Sequence, residues 1–329
     1  MDPLLEQVLR IHPEPCTHVG DREVHQRLTA RPGEFVGFVA ERLQEIAVGK
    51  ASVELPFKQV LSNGVGDFRT MPCIVQRGSV ALKTVKIVGT NTVQLAVPDQ
   101  ITVGRAFRLD ADENYITHTF DACLLSSART GVCATIALQR LAPVRREIGI
   151  VGAGRVGFYT ALYAATLDGV EDVFLHDPHE DRAAATVELL RRDVRNRVRF
   201  RVGTGGGLRA HDALVLCTMA REPLFDPPDL EARLVVSAGA DVPEQRELGA
   251  AWADVADIYV DSMDALATGD LRAWKAEGAI SDDRPVDLIG LLRDGPRENA
   301  GRRRVFISTG SALFDNITIG YLLGGADPA

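Results

Sequence analysis

The segment from residue 147 to residue 177, EIGIVGAGRVGFYTALYAATLDGVEDVFLHD, constrains the fold more than any other. EIGIV is typical of a buried strand, GAGRVG of a glycine-rich turn that opens a helix, and DVFLHD of a second strand. Gly152, Gly154 and Gly157 allow a tight turn and close approach to a pyrophosphate, and the helix N-terminus offers unpaired N–H groups. An acidic residue, Asp177, ends the second strand. The segment therefore predicts a dinucleotide-binding βαβ unit.

The same unit indicates which dinucleotide it binds. Arg155 and Val156 complete the cofactor-binding turn. Asp177 would accept a hydrogen bond from a ribose 2′-hydroxyl and repel a 2′-phosphate, which favours NAD(H) over NADP(H). Arg182 lies close enough in sequence to weaken that preference. The alternative is a glycine turn in another kind of α/β protein.

The rest of the chain divides into two regions with different sequence patterns. Residues 1–50 are expected to be irregular up to a helix near 33–48, and residues 53–120 are strand-rich. After a helix at 124–141, strands alternate with helices from Pro143 to the final helix SALFDNITIGYLLG. This pattern predicts an α/β protein with a Rossmann-type doubly wound parallel sheet and a smaller α+β domain.

Composition excludes several classes of function. The chain has 329 residues and a net charge of −8, which indicates neither a nucleic-acid nor an anionic-membrane partner. No run approaches the ~18 apolar residues of a membrane helix, and MDPLLEQVLRIHPEP lacks the pattern of a signal peptide. The five cysteines show no CxxC spacing and the histidines no HExxH pattern. We therefore expect a cytoplasmic protein with no disulfide framework and no metal site.

The stretch LPFKQVLSNGVGDFRTMP, residues 55–72, contains the strongest short-range hairpin signal, Asn63-Gly64. A two-residue type I′ turn there places Lys58 directly opposite Arg69 on one face. Like charges facing each other destabilise a ladder unless an anion lies between them. The hairpin therefore predicts an anion-binding subsite.

Only five of the 37 basic residues are lysines, so a retained lysine suggests a role that a guanidinium cannot fill. In ALKTVKIV, alternation places Lys83 on the same face as Val85 and Ile87, where burial would lower its pKa. Lys86 is expected on the opposite, solvated face. Arg129, in SSARTG, is a further cation near a helix start. The alternative for each of these residues is an ordinary surface charge.

The chain resembles the ornithine cyclodeaminase/mu-crystallin family over roughly residues 55–325. The resemblance rests on the order LPFK, DFRTMP, ALKTVKIVGTN, LLSSARTG, GAGRVG, SAGADVPEQREL and VFISTGSALFD. It implies a substrate-binding and dimerisation domain over about 1–125, completed by a C-terminal helix at about 311–329. A Rossmann domain would occupy 126–310, and the protein would be a homodimer formed through the sheet of the smaller domain.

The resemblance also implies roles for individual residues. Lys83 matches the family's catalytic lysine, and Asp241 the aspartate that handles the substrate amine or a water. The substrate-binding residues would be Lys58, Arg69, Arg129 and Asp315. Besides the glycine-rich turn, the cofactor would contact Thr218, Ser308, Thr309 and Gly310.

The family includes cyclodeaminases, archaeal-type alanine dehydrogenases, ketimine and iminosuccinate reductases, and a dehydrogenase that releases 2,3-diaminopropionate from N-(2-amino-2-carboxyethyl)-glutamate. Arg69 stands where cyclodeaminases tend to carry Glu and resembles the alanine dehydrogenases. Residues 110–131 and 277–298 resemble the diaminopropionate-forming branch, although Gly131 replaces the usual Ala and Ser237 a common Asn.

These comparisons favour an NAD(H)-dependent amino-acid dehydrogenase or imine reductase that acts on a small amino acid or its imine. The alternatives are a cyclodeaminase that recycles NAD, and a non-catalytic NAD(P)H-binding protein like mu-crystallin.

Overall fold

A computed structural model describes residues 3–10, 12–62, 64, 66–90, 97, 100, 102–192, 197–299 and 301–324. Within these residues the chain forms a seven-stranded sheet and an eight-stranded sheet. None of the described helices is both long and apolar enough to cross a membrane.

The strands are β1 (Thr17–Val19), β2 (Ser52–Glu54), β3 (Gln59–Ser62), β4 (Asp67–Arg77), β5 (Val80–Thr90), β6 (Thr102–Leu109), β7 (Ile116–Asp121), β8 (Glu147–Val151), β9 (Asp172–His176), β10 (Arg199–Val202), β11 (Ala213–Leu216), β12 (Leu234–Ser237), β13 (Ala256–Val260), β14 (Val286–Asp287) and β15 (Arg303–Ile307). The α-helices are α1 (Pro3–Leu9), α2 (Asp21–Ala30), α3 (Pro32–Ala47), α4 (Ala122–Leu141), α5 (Arg155–Ala164), α6 (Glu180–Arg191), α7 (Trp252–Val255), α8 (Gly269–Ala276), α9 (Leu288–Asp294) and α10 (Ala312–Leu322).

The second half of the chain forms the predicted parallel sheet. Its strand order is β10-β9-β8-β11-β12-β15-β13-β14, and every neighbouring pair is parallel. β11 and β12 are buried along their whole length, which explains why these strands read as continuous apolar runs rather than as alternating patterns. The predicted Rossmann-type α/β fold is confirmed.

The first half of the chain forms the seven-stranded sheet, in the order β1-β7-β6-β5-β4-β2, with β3 also paired to β4. All its pairs are antiparallel except β1 with β7. α4 packs on β6, and α10, which follows the last strand of the other sheet, packs on β4 and β5. We call the side facing these helices the inner face and the opposite side the outer face.

The first 50 residues are more regular than the sequence suggests. The helix predicted near 33–48 is confirmed as α3, but α2 precedes it in a stretch expected to be irregular. Only Val24 and Leu28 are buried in α2, one turn apart. Such a narrow apolar stripe gives a weak helical signal.

The predicted hairpin register is wrong. Arg69 pairs with Val60, and Lys58 precedes β3 rather than facing Arg69 across the ladder. β3 ends at Ser62 and β4 begins at Asp67, and of the residues between them Asn63 and Val65 lie outside the described residues. The Ser62 hydroxyl stabilises this longer connection, because it accepts from the N–H of Gly64 at 3.2 Å and donates to the Gly66 carbonyl at 2.9 Å.

Candidate active site

The glycine-rich turn between β8 and α5 has the shape of a phosphate cradle. Gly152 has a φ of +99°, and a Cβ on Gly157 would lie 1.9 Å from the Gly152 carbonyl oxygen, so both positions require glycine. A Cβ on Gly154 would meet nothing within 4 Å, so the backbone is open on that side. The turn therefore fits a pyrophosphate at the N-terminus of α5.

Asp177 lies directly after β9 and against this turn. Its Oδ2 accepts from the N–H of Ala153 at 2.9 Å, and its Oδ1 accepts from the N–H of His179 at the same distance. Arg182 approaches Oδ2 at 3.6 Å. Asp177 lies at the carboxyl end of the second strand of the βαβ unit, which is the position that a ribose-binding acid occupies.

Two buried carboxylates that sequence analysis missed hold the other predicted cofactor residues. Asp261, directly after β13, accepts from the Ser308 hydroxyl and the Gly310 N–H, both at 2.8 Å. Glu247 accepts from the N–H and the hydroxyl of Thr218, both at 2.7 Å. Glu247 lies within the family segment SAGADVPEQREL, but no role was predicted for it, and the signal for Asp261 was its position at the end of a strand.

Four cations converge where the inner face of the seven-stranded sheet meets the carboxyl edge of the parallel sheet. Each is close enough to alter the electrostatic environment of at least one of the others or of Asp241. They come from separate parts of the chain: Lys58 precedes β3, Arg69 is on β4, Lys86 on β5 and Arg129 on α4.

The buried lysine of this cluster is Lys86. Its side chain is 1% exposed, and its Nζ donates to Asp315 Oδ1 at 2.8 Å. The Nε of Arg129 lies 3.3 Å from the same carboxylate oxygen. Burial lowers the pKa of Lys86 to about 7, with Asp315 opposing the shift and Arg129 adding to it. The lysine therefore changes charge near neutral pH.

The predicted orientation of Lys83 and Lys86 is wrong. Lys83 lies on the outer face, where its Nζ donates to Asn114 Oδ1 at 2.7 Å in an exposed contact. The apolar residues that share its face misled the prediction, because Ile87 is itself 42% exposed. Both faces of β5 carry apolar side chains, so alternation alone does not reveal the buried one.

One sequence signal does place Lys86 on the same face as Arg69. Gly78 and Ser79 alone connect β4 to β5, since Arg77 pairs with Val80. Gly-Ser is a recognised two-residue hairpin signal. In the resulting register Lys86 pairs with Met71, which shares a face with Arg69.

Arg69 joins the two sheets. Its Nε and Nη2 donate to the two carboxylate oxygens of Asp67, at 2.9 and 3.1 Å, and its Nη1 donates to Asp241 Oδ2 at 2.7 Å. Burial tends to raise the pKa of Asp241, but Arg69 and then Lys58 outweigh it, and the net shift is downward. Asp241 is therefore ionised at neutral pH, and Asp67 is the positioning partner that the sequence did not reveal.

Lys58 and Arg129 face the turn that follows β15. The Nζ of Lys58 donates to the Thr309 carbonyl at 2.9 Å, and its backbone N–H donates to Asp264. A Cβ on Gly310, whose φ is +87°, would lie 2.8 Å from both terminal nitrogens of Arg129. Among the described residues, no carboxylate lies within salt-bridge distance of Lys58 Nζ. The structure thus brings together Lys58, Arg69, Arg129, Asp241 and Asp315, with Lys86 in place of Lys83.

The sequence profile of the ornithine cyclodeaminase/mu-crystallin family matches residues 21–322. The chain belongs to this family. An L-lysine cyclodeaminase of Streptomyces rapamycinicus is 30% identical over 277 residues, which cover 80% of this chain and 76% of that protein.

Solved structures confirm the fold. The Δ1-pyrroline-2-carboxylate reductase of Thermococcus litoralis, in complex with NADH and L-proline, superposes with a TM-score of 0.81 at 19% identity, covering 93% of this chain and 96% of that one. An archaeal alanine dehydrogenase dimer with bound NAD superposes with a TM-score of 0.79 at 21% identity, covering 93% and 94%.

Proposed function

We propose that this family member is an NAD(H)-dependent amino-acid dehydrogenase or imine reductase that acts at the Cα of a small amino acid. The observation that carries the proposal is the convergence of Lys58, Lys86 and Arg129 beside the turn from Ser308 to Gly310, which the family resemblance assigns to the cofactor. Such an arrangement suits a substrate that carries a carboxylate next to its reacting carbon.

The cofactor proposal rests on the cradle at Gly152–Gly157 and on Asp177. The open side of Gly154 leaves room for a pyrophosphate, and the carboxylate of Asp177 would disfavour a 2′-phosphate. We therefore propose NAD(H) over NADP(H). A bound nicotinamide would supply or accept the hydride.

The protein's own side chains would orient the substrate and move its proton. Arg129 and Lys58 hold the substrate carboxylate, since neither charge is fully neutralised within the cluster. Lys86, in its cationic form, stabilises negative charge that develops on the nitrogen or oxygen attached to the reacting carbon. Asp241 is ionised and accepts a proton from the substrate amine or orients a water, while Arg69 fixes its position.

The outer face of the seven-stranded sheet supports a homodimer. Leu61 and Phe68 are paired across β3 and β4, and they are 59% and 47% exposed; Ile87 lies on the same face. Contiguous apolar patches of this kind mark association sites. We propose that a second copy covers this face, with domain boundaries near residues 125 and 310.

We further propose that the protein acts in the cytoplasm, in keeping with its five unpaired cysteines. The first pathway to test is 2,3-diaminopropionate synthesis, because residues 110–131 and 277–298 resemble that branch. A neighbouring gene cluster for a siderophore or peptide antibiotic would support this assignment.

The function is tested with a panel of amino acids plus NAD, and of 2-oxo acids with ammonia and cyclic imines plus NADH. We expect a steady change in NADH absorbance with a small amino acid or its imine. An absence of change across the whole panel, with NADH bound, would leave a ligand-binding protein and contradict the proposal.

A cyclodeaminase is the second candidate, because the matched Streptomyces protein carries that name at 30% identity. It predicts ammonia release from a diamino acid without net change in NADH. Arg69 argues for the dehydrogenase, since it occupies the position where cyclodeaminases tend to carry Glu and is bonded to Asp241.

A further inference from the structure

Three polar side chains that the proposed mechanism does not use form one hydrogen-bonded group at the carboxyl edge of the parallel sheet. Ser237 ends β12, Glu247 lies in the loop that follows it, and Asp270 lies in the first turn of α8. All three are 0% exposed. Buried polar groups of this kind must satisfy one another, because water cannot reach them.

The geometry of the group requires a shared proton. Ser237 Oγ lies 2.7 Å from Glu247 Oε2 and 3.0 Å from Asp270 Oδ2. A hydroxyl has one hydrogen and can donate to only one of these oxygens. If both carboxyl groups were ionised, one contact would bring lone pairs together. A proton on either carboxyl group completes the chain of hydrogen bonds.

The other oxygens of the two carboxyl groups are already occupied as acceptors. Glu247 Oε1 accepts twice from Thr218, and Asp270 Oδ1 accepts from the N–H of Glu247 at 2.8 Å and of Leu248 at 3.2 Å. These bonds hold the two carboxyl groups in place, so neither can turn away from Ser237.

The pKa shifts of the two carboxyl groups agree with a single shared proton. Burial, and after it the charge of Asp270, raises the pKa of Glu247 to about 7, and burial also raises the pKa of Asp270. Two other titratable groups face the pair. Arg246 Nε stays 4.0 Å from Asp270 Oδ1, and burial raises the pKa of Cys217, which keeps it neutral. The two carboxyl groups therefore titrate as a unit.

The group is tied to both loops that carry predicted cofactor and catalytic residues. Glu247 Oε1 holds Thr218, which follows β11, and Oε2 accepts from the N–H of Gly239 at 3.0 Å, two residues before Asp241. We propose that Glu247 is a positioning residue: sharing one proton with Asp270 through Ser237, it holds the loops after β11 and β12 in the geometry that binds the nicotinamide nucleotide. This inference rests on the proposed cofactor.

Loss of the shared proton brings two carboxylates together in a dry site, and their repulsion loosens both loops. Binding of the cofactor then favours the protonated pair. Linkage requires that the cofactor raise the proton affinity of the pair by the same factor by which protonation raises the affinity for the cofactor. If NADH raises the pKa of the pair by one unit, its dissociation constant rises about tenfold as the pH passes through the titration range.

The test measures the dissociation constant of NADH for the full chain, by fluorescence and without substrate, from about pH 6 to about pH 9. We expect the wild-type constant to rise about tenfold over this range. In Asp270→Asn the amide donates to Ser237 and its carbonyl still accepts from both backbone N–H groups. Ser237 then donates to Glu247 with no second carboxylate to repel it, so the constant should depend on pH much less than in the wild type.

Asp172→Asn is the matched control, because Asp172 is also buried but lies at the opposite end of the sheet, paired with Arg199. Asp172→Asn should retain the wild-type slope, that is, the rise of the NADH dissociation constant with pH. Glu247→Gln is a second test: it should remove the slope but weaken binding at every pH, since its amide nitrogen would face the N–H of Gly239.

A wild-type constant that does not change with pH would overturn the inference while leaving the cofactor proposal intact. So would an Asp270→Asn protein that is less heat-stable but keeps the slope, because that result indicates a purely structural role. Failure to bind NADH at any pH would overturn the cofactor proposal and this inference together.

Discussion

The two faces of the seven-stranded sheet have opposite chemistry although the same strands build them. Arg69 on the inner face is 4% exposed, and its neighbour Phe68 on the outer face is 47% exposed. Lys86 and Ile87 differ in the same way, at 1% and 42%. The comparison shows that one strand supplies charged side chains to the candidate site and apolar side chains to the opposite, exposed face, because successive side chains of a strand point to opposite faces.

The largest expected difference between the faces concerns the two lysines of β5. Lys86→Met should reduce turnover by about 10²–10³-fold, the usual effect of removing one preorganised electrostatic group. Lys83→Met removes the same charge from the outer face and should leave turnover near wild type. Initial rates by NADH absorbance measure both, and equal losses would show that the faces are not functionally distinct.

A smaller effect is expected at Arg69. Arg69→Ala should raise the KM of the amino-acid substrate by about 10–100-fold, because charged hydrogen bonds of about 1.5–3 kcal/mol to Asp67 and Asp241 are lost. The KM of NADH should change much less. Thr70→Ala, on the outer face of the same strand, is the control. Similar increases for both reactants would argue against a role at the substrate subsite.

The outer face is tested by its contribution to association. Phe68→Asp should weaken the dimer by about 2 kcal/mol, since it places a charge in a desolvated contact. Leu189→Asp is a suitable control, because Leu189 is similarly exposed, at 49%, but lies on α6, which packs against the parallel sheet. Sedimentation velocity across a dilution series would distinguish the two. A Phe68→Asp protein that stays dimeric would exclude this face.

The smallest effect is a shift in pH dependence. Lys86 is cationic below its pKa of about 7, so kcat/KM for the substrate at saturating NADH should fall as the pH rises through that value. Asp315 favours the cationic form. Asp315→Asn should therefore move the fall to lower pH by about one unit. A shift in the opposite direction would mean that Lys86 acts in its neutral form.

Much of the parallel sheet was predictable because its signals are local. EIGIV, residues 147–151, matches β8 residue for residue, and the glycine-rich turn and Asp177 lie where the βαβ pattern predicts. α4 and α10 were also recognised, with ends that differ by a few residues. In these elements, one continuous stretch of sequence contains all the information that the local structure requires.

The antiparallel sheet was predicted less well, because register depends on connections and on distant partners. The pairing of Val60 with Arg69 differs from the register that a two-residue turn at Asn63-Gly64 predicts, yet the shift is by an even number of positions. Lys58 and Arg69 therefore still reach the same site. An odd shift would have moved every side chain to the other face.

By itself the sequence determined the Rossmann unit, the glycine-rich turn and most of the residue types in the candidate site, since each follows from adjacent residues. Only the tertiary structure decided that Lys86 rather than Lys83 is buried, and that Glu247 and Asp261 hold the loops that carry the predicted cofactor residues. The physical reason is that the burial of a side chain depends on which element of the structure packs over it. Lys86 is covered by α10, whose Asp315 lies more than two hundred residues further along the chain.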